Sequence, residues 1–189
     1  MAAPPFKAER LAIPEVILLT PQRFGDTRGF FSETWHEQRF ADAGVAGPFI
    51  QDNHSLSEKR GTLRGLHCQI GPSVQGKLVR VLKGAIWDVA VDARRGSPSY
   101  GQHVAAVLSA ENWSQLWVPG GFLHGFVTLE PGTEVMYKVT GGYYDPKAER
   151  GVIWNDPDLA LPWPVAAGEV VVSDKDAKLP RLAACEAWY

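Results

Sequence analysis

The chain has 189 residues, a mass of 20.7 kDa and a formal charge of -2, with 45% hydrophobic and 21% charged residues. That length and balance fit one domain spanning 1–189 and exclude a disordered chain, while a charge so near zero leaves no basic footprint for nucleic acid. No apolar run approaches the ~18–20 residues of a membrane span, and Met1–Pro5 lacks the blocks of a signal peptide. Cys68 and Cys185 form no disulfide framework, so the expected setting is cytoplasmic and reducing.

Residues 1–8 read as a flexible tail, most clearly the first five. Leu11–Leu19 reads as a first strand ending near Pro21, followed by a turn-rich segment from Phe24 to Phe31. Thr34 with Glu37 three residues on makes a capping box for one helix, and Gly44 supplies its stop after Ala43. Phe49–Ser55 is extended, and Glu58–Gly61 is a turn. From Thr62 to Thr140 the apolar pattern has period two, broken repeatedly by Gly or Pro. The expected strands are Lys77–Leu82, Ile86–Asp92, Val104–Leu108, Gln115–Val118, Phe126–Leu129 and Glu134–Thr140. After Tyr144 the chain reads as loop, with a last strand near Glu169–Val172 and a short C-terminal helix over 180–189. Nineteen Gly, fourteen Pro and seven Trp suit tight turns between short strands rather than a helix bundle.

Two segments share a pattern with the cupin barrel. Five residues separate Gly61 from His67, and six separate Lys77 from Gly84. Pro119-Gly120-Gly121-Phe122-Leu123-His124 then reads PxGxxH. Cupins carry a second histidine where Gln69 stands and a glutamate where Lys77 stands. The resemblance is therefore to an all-β, cupin-like sandwich or jelly-roll barrel, with a few short helices and a dismantled metal site. Two histidines are too few to hold a transition metal, and lysine is cationic. No metal and no cofactor are expected.

Strand alternation points Lys77 inward with Val79 and Val81, and Tyr137 inward with Val135 and Val139. A histidine base, a lysine for an oxyanion and a tyrosine acid suit proton abstraction beside a ketone through an enolate. Asp88 and Asp92 read as solvated or loop-anchoring, and His36 and His103 as structurally bland. Cys68 falls on the strand face opposite His67, which argues against a Cys–His nucleophile. Arg64 also falls opposite His67, and Gly65 between them offers a place for a bulge.

Phe24–Phe31, Gln51–Ser55, Leu63–His67, Gln75–Arg80, Pro119–Phe126, Tyr137-Lys138, Tyr144–Glu149, Trp154–Pro157 and Ser173–Asp176 match one family in order. The chain resembles the dTDP-4-dehydrorhamnose 3,5-epimerase family from about Leu18 to Pro180. The resemblance implies His67 as general base, Asp176 as the carboxylate that orients it, Lys77 as enolate stabiliser and Tyr137 as acid on the opposite face. It implies ligand contacts from Arg28, Glu33, Gln51, Asn53, Arg64, His124, Tyr144, Glu149 and Lys175, with Arg64 and Lys175 suited to a diphosphate. Arg28 would come from a partner subunit, in a homodimer that exchanges strands. Cys68 and Ile70–Ser73 depart from the family pattern without touching a matched catalytic position. Three rivals remain: a mono-epimerase of the same fold, a sugar-nucleotide binding module without activity, and a metal-dependent cupin.

Overall fold

The computed structural model describes residues 5–189 and is built almost wholly of strands. They are β1 (Phe6–Arg10), β2 (Ile17–Pro21), β3 (Phe24–Asp26), β4 (Gly29–Phe31), β5 (Phe49–Ser57), β6 (Leu63–Gln69) and β7 (Lys77–Lys83). Next along the chain come β8 (Ala85–Asp92), β9 (His103–Ser109), β10 (Gln115–Val118), β11 (Phe122–Thr128), β12 (Thr133–Thr140) and β13 (Glu149–Gly151). A six-stranded sheet in the order β1-β2-β10-β7-β12-β5 faces a five-stranded sheet in the order β13-β6-β11-β8-β9. This is the all-β, cupin-like sandwich that the motifs lead one to expect. All named strand pairs are antiparallel.

Three apolar clusters explain the layers. The inner one joins Val79, Val81, Leu116 and Val135 of one sheet to Ile86, Ala90, Leu108 and Phe126 of the other. The outer face of the six-stranded sheet packs Leu78 and Trp117 against Phe6, Phe40 and Val45. The outer face of the five-stranded sheet is covered as well, because Val152, Leu159, Leu161 and Leu182 pack on Val89 and Val91. Both faces of β8 are thus buried, and period two alone does not tell its inside from its outside. Asp88 and Asp92 share the inner side with Ile86 and Ala90, and both are fully buried rather than solvated. Asp92 does anchor a loop, accepting hydrogen bonds from Arg94, Ser97 and Ser99.

Several sequence expectations need correction. Of the expected tail, residues 1–4 lie outside the described residues, but Phe6–Arg10 forms β1 and pairs along β2. The expected first strand, Leu11–Leu19, is strand only from Ile17; the residues before it form a turn in which the Val16 N–H donates to Ile13. The helix, α1 (Glu37–Asp42), is capped by His36 Nδ1, which accepts from the Arg39 N–H at 3.5 Å, and not by Thr34. Over 180–189 there is only a 3-10 turn at Leu182–Ala184. Near Glu169–Val172 there is a 3-10 turn and then one parallel bridge between Thr62 and Val171. β13 arises where loop was expected, and β11 begins four residues before the expected start.

Candidate active site

Between the sheets opens a cavity of about 510 Å³, lined by Arg64, His67, Lys77, His124, Tyr137, Lys175 and Asp176 among others. A second cavity of about 330 Å³ shares His67, Lys77 and Tyr137 and adds Gln51, Asn53, Tyr144 and Glu149. The Glu149–Lys175 ion pair joins the two rims. Eleven of the thirteen expected site residues therefore converge. Arg28 and Glu33 do not: Arg28 sits on the β3–β4 hairpin against Asp26, with 88% of its side chain exposed, and Glu33 pairs with Arg39.

His67 reaches the cavity through an irregularity in β6. His124 pairs with His67 and Phe126 with Arg64, so three steps along β6 face two along β11. The one extra residue is a bulge, and it turns Arg64 and His67 to the same cavity. Gly65, with φ of 119°, sits inside it; a Cβ there would lie 2.7 Å from both Gly125 Cα and the His124 carbonyl oxygen. Only glycine fits that approach.

Asp176 arrives from far along the chain. The Leu63 N–H donates to the Val171 carbonyl and the Val171 N–H to Gly61, which docks this segment beside β6. His67 Nε2 then lies 2.9 Å from Asp176 Oδ1, while Asp176 Oδ2 accepts from the Gly65 N–H at 3.2 Å. Burial opposes ionisation of Asp176, but the His67 bond and charge, the Gly65 N–H and Ser173 outweigh it and hold the carboxyl below its ordinary range. With Asp176 ionised, Nε2 carries the proton and Nδ1 keeps the lone pair, which is the arrangement of a base.

A second histidine–carboxylate pair lies beside the first. His124 Nε2 is 2.5 Å from Asp88 Oδ1, and Asp88 Oδ2 is buried without a partner. Sequence reasoning missed Asp88, because β8 is apolar on both faces and nothing local marks the inner one.

The opposite wall comes from the six-stranded sheet. Lys77 and Tyr137 extend inward from β7 and β12, with Lys77 Nζ 5.9 Å from the Tyr137 ring centre. Burial pushes the Lys77 ammonium down, against the pull of Cys68, Asp88 and Glu149, and burial pushes the Tyr137 phenol up. Cys68 borders the second cavity too, but burial raises its thiol to about 11, so it stays protonated near neutral pH.

The donor set does not fit a metal. His67 and His124 each spend Nε2 on a carboxylate, Gln69 turns its side-chain oxygen to the Asp145 N–H, and Lys77 is a cation. Among the described residues no three His, Cys, Asp or Glu side chains gather to hold an ion. None of their helices is long and apolar enough to cross a membrane.

A sequence profile of the dTDP-4-dehydrorhamnose 3,5-epimerase family matches residues 10–184. The dTDP-4-dehydrorhamnose 3,5-epimerase of Pseudomonas aeruginosa is 53% identical over 171 residues, covering 90% of this chain and 92% of that one. The crystal structure of dTDP-6-deoxy-D-glucose-3,5-epimerase from Legionella pneumophila, in complex with dTDP-4-keto-L-rhamnose, superposes with a TM-score of 0.91 at 43% identity, covering 96% of this chain and 95% of that one. A 3'-monoepimerase from Streptomyces bikiniensis in complex with dTDP-quinovose superposes with a TM-score of 0.84 at 32% identity, covering 92% and 86%. With most of its length matched and half its residues shared, the chain belongs to the dTDP-4-dehydrorhamnose 3,5-epimerase family.

Proposed function

We propose that this protein inverts carbons 3 and 5 of dTDP-4-keto-6-deoxyglucose, giving dTDP-4-dehydrorhamnose. The observation that carries the reading is the His67–Asp176 pair facing Lys77 and Tyr137 across one cavity. The 4-keto group acidifies the hydrogens on its two neighbouring carbons, because loss of either gives an enolate. His67 takes one such proton on Nδ1, and Asp176 stabilises the imidazolium that results. Lys77 meets the oxyanion with its positive charge already in place on the cavity wall. Tyr137 returns a proton to the face away from His67, which inverts the centre. No electrons are gained or lost, so the step needs no redox partner.

Arg64, Lys175 and His124 receive the diphosphate and sugar in this reading, and Gln51, Asn53, Tyr144 and Glu149 complete the binding site. Arg28 and Glu33 act across a homodimer interface formed by exchange of the β3–β4 hairpin. Exposed Phe24 and Phe31, directly paired across that hairpin, support the exchange, since exposed apolar surface of this kind marks an interaction site. A cytoplasmic location goes with the polar substrate and the two free thiols.

Proton NMR of dTDP-4-keto-6-deoxyglucose with the protein in deuterated water tests the reaction. Deuterium is expected at carbons 3 and 5 with inversion at both; incorporation at one carbon alone makes the protein a mono-epimerase. Mixing Arg28→Ala and His67→Ala subunits tests the exchange. Hybrid dimers regain activity if one intact site forms, and no recovery overturns the shared site.

A further inference from the structure

We propose that Gln69 is a positioning residue for substrate recognition, fastening the loop that carries Tyr144 to the strand that carries His67. The inference rests on the reading that Tyr144 and Glu149 contact the substrate. Gln69 lies two residues after His67 on β6, where a cupin has its second metal-binding histidine, and it is only 6% exposed. Its side chain does different work here. Oε1 accepts from the Asp145 N–H at 3.0 Å, so a buried amide grips the main chain next to Tyr144.

The segment is held at its two ends, at Gly142 by the Val74 carbonyl and the Gln75 side chain and at Ala148 by the Ile70 N–H, and between them Gln69 grips the main chain beside Tyr144. Tyr143 and Tyr144 are 77% and 52% exposed, too open for packing to fix them. Asp145 in turn organises the turn leading into β13, accepting from the Lys147 and Ala148 N–H groups. Tyr144 then donates from its hydroxyl to Glu149 Oε2 at 2.8 Å, and Glu149 pairs with Lys175 on the rim of the larger cavity. Gln69 is itself braced, since its main-chain oxygen accepts from the Tyr189 hydroxyl at 2.6 Å and Glu149 is its partner on β13. A buried acceptor on a central strand thus sets where an otherwise open aromatic loop stands over the second cavity.

Gln69→Met keeps length and shape but removes the acceptor. Amide exchange of the Asp145 segment in the unliganded variant is expected to quicken about tenfold or more as local opening becomes easier. KM for the dTDP-sugar and the Kd for dTDP, read by calorimetry, should rise about tenfold, with kcat within about threefold of wild type, the pattern of lost uniform binding. Gln69→Glu keeps an acceptor oxygen at the same reach and should keep Asp145 protected. If Gln69→Met does not fold, Gln69→Asn, one methylene short of the contact, carries the same comparison. Unchanged exchange overturns the fastening. Faster exchange with KM and dTDP affinity unchanged overturns the positioning role, as does a loss confined to kcat. A wild-type protein that binds no dTDP would sink the underlying epimerase reading instead, and the exchange result separates the two.

Discussion

The two walls of the cavity are built on different principles. On the five-stranded sheet, both imidazoles are held by buried carboxylates, His67 by Asp176 and His124 by Asp88. On the six-stranded sheet, the side chains of Lys77 and Tyr137 show no hydrogen bond to any described residue; Tyr137 packs on the inner core, and Lys77 Nζ lies 5.9 Å from its ring centre. The first wall is set before any substrate arrives: tautomer and orientation are fixed by acids behind the rings. The second wall is incomplete until a substrate enters. Burial disfavours the Lys77 charge in the empty site, so that charge gains most when an oxyanion forms in front of it. An interaction that strengthens as the enolate develops accelerates the chemical step, whereas equal strength throughout would only tighten binding.

Breaking the preset wall should cost most. His67→Ala is expected to lower exchange at both carbons by about 10²–10⁴-fold, since His67 is the imidazole assigned as base and His124, the other carboxylate-held imidazole, is assigned to substrate binding. Deuterium uptake monitored by NMR reads it directly, and near-normal uptake at either carbon would give that carbon a different base.

Removing the support behind the base should cost less. Asp176→Asn leaves His67 in place but loosens its tautomer, with an expected loss of about 10–100-fold in kcat by analogy with other outer-shell partners. The same change has a stability signature. Asp176 titrates below its ordinary 3.8 when folded, so the unfolded chain binds more protons between the two values. Its stabilising contribution is therefore full above the unfolded pKa and is lost as pH falls through the folded one. Acid unfolding below about pH 4, monitored by circular dichroism, should be shallower in Asp176→Asn than in wild type. Equal acid profiles would mean that the carboxylate does not hold the imidazole in solution.

On the facing wall, Tyr137→Phe should separate two events that His67→Ala stops together. The ring and its packing remain, so folding changes little. Net inversion should fall by about 10²-fold where Tyr137 is the donor, while deuterium continues to enter with retained configuration from the His67 side. Inversion at the wild-type rate would make Tyr137 a packing residue. Loss of exchange and inversion together in a folded variant would place Tyr137 in enolate formation.

The same contrast governs what the sequence makes legible. Lys77 and Tyr137 can be placed by alternation, because β7 and β12 are regular and each shows its inner face through neighbouring valines. The imidazole wall depends on pairings that no local pattern encodes. Asp176 sits 109 residues from His67, and their meeting required the family resemblance to foresee. Asp88 stayed hidden because later chain covers the outer face of its sheet and makes both faces of β8 look alike. Gly65 was legible in part: the conflict between Arg64 and His67 demanded a bulge, and the register between β6 and β11 contains one. The termini failed for a simpler reason. Lys7, Glu9 and Arg10 make β1 look like tail, yet it lies at a sheet edge where its charges face outward while Phe6 packs on Phe40.

The smallest effect expected is none at all, and it tests whether the two walls are complete without an ion between them. A cupin metal would have to draw ligands from both walls: histidines from β6 and β11, and the residue at Lys77 from β7. Here the histidines on one wall direct Nε2 away toward Asp176 and Asp88. Gln69, at the place of a further ligand, is committed to the Asp145 N–H. Across the gap stands a cation, whose charge would repel a divalent ion at contact distance. In the proposed mechanism Lys77 supplies the positive charge that a metal would otherwise bring to the oxyanion. Prolonged dialysis against a strong chelator should therefore leave kcat and KM unchanged, and elemental analysis of the active protein should find no stoichiometric transition metal. Loss of activity on chelation, restored by one added metal, would show that the walls are bridged after all, and Lys77 would then have to give up its place as the enolate's counter-charge.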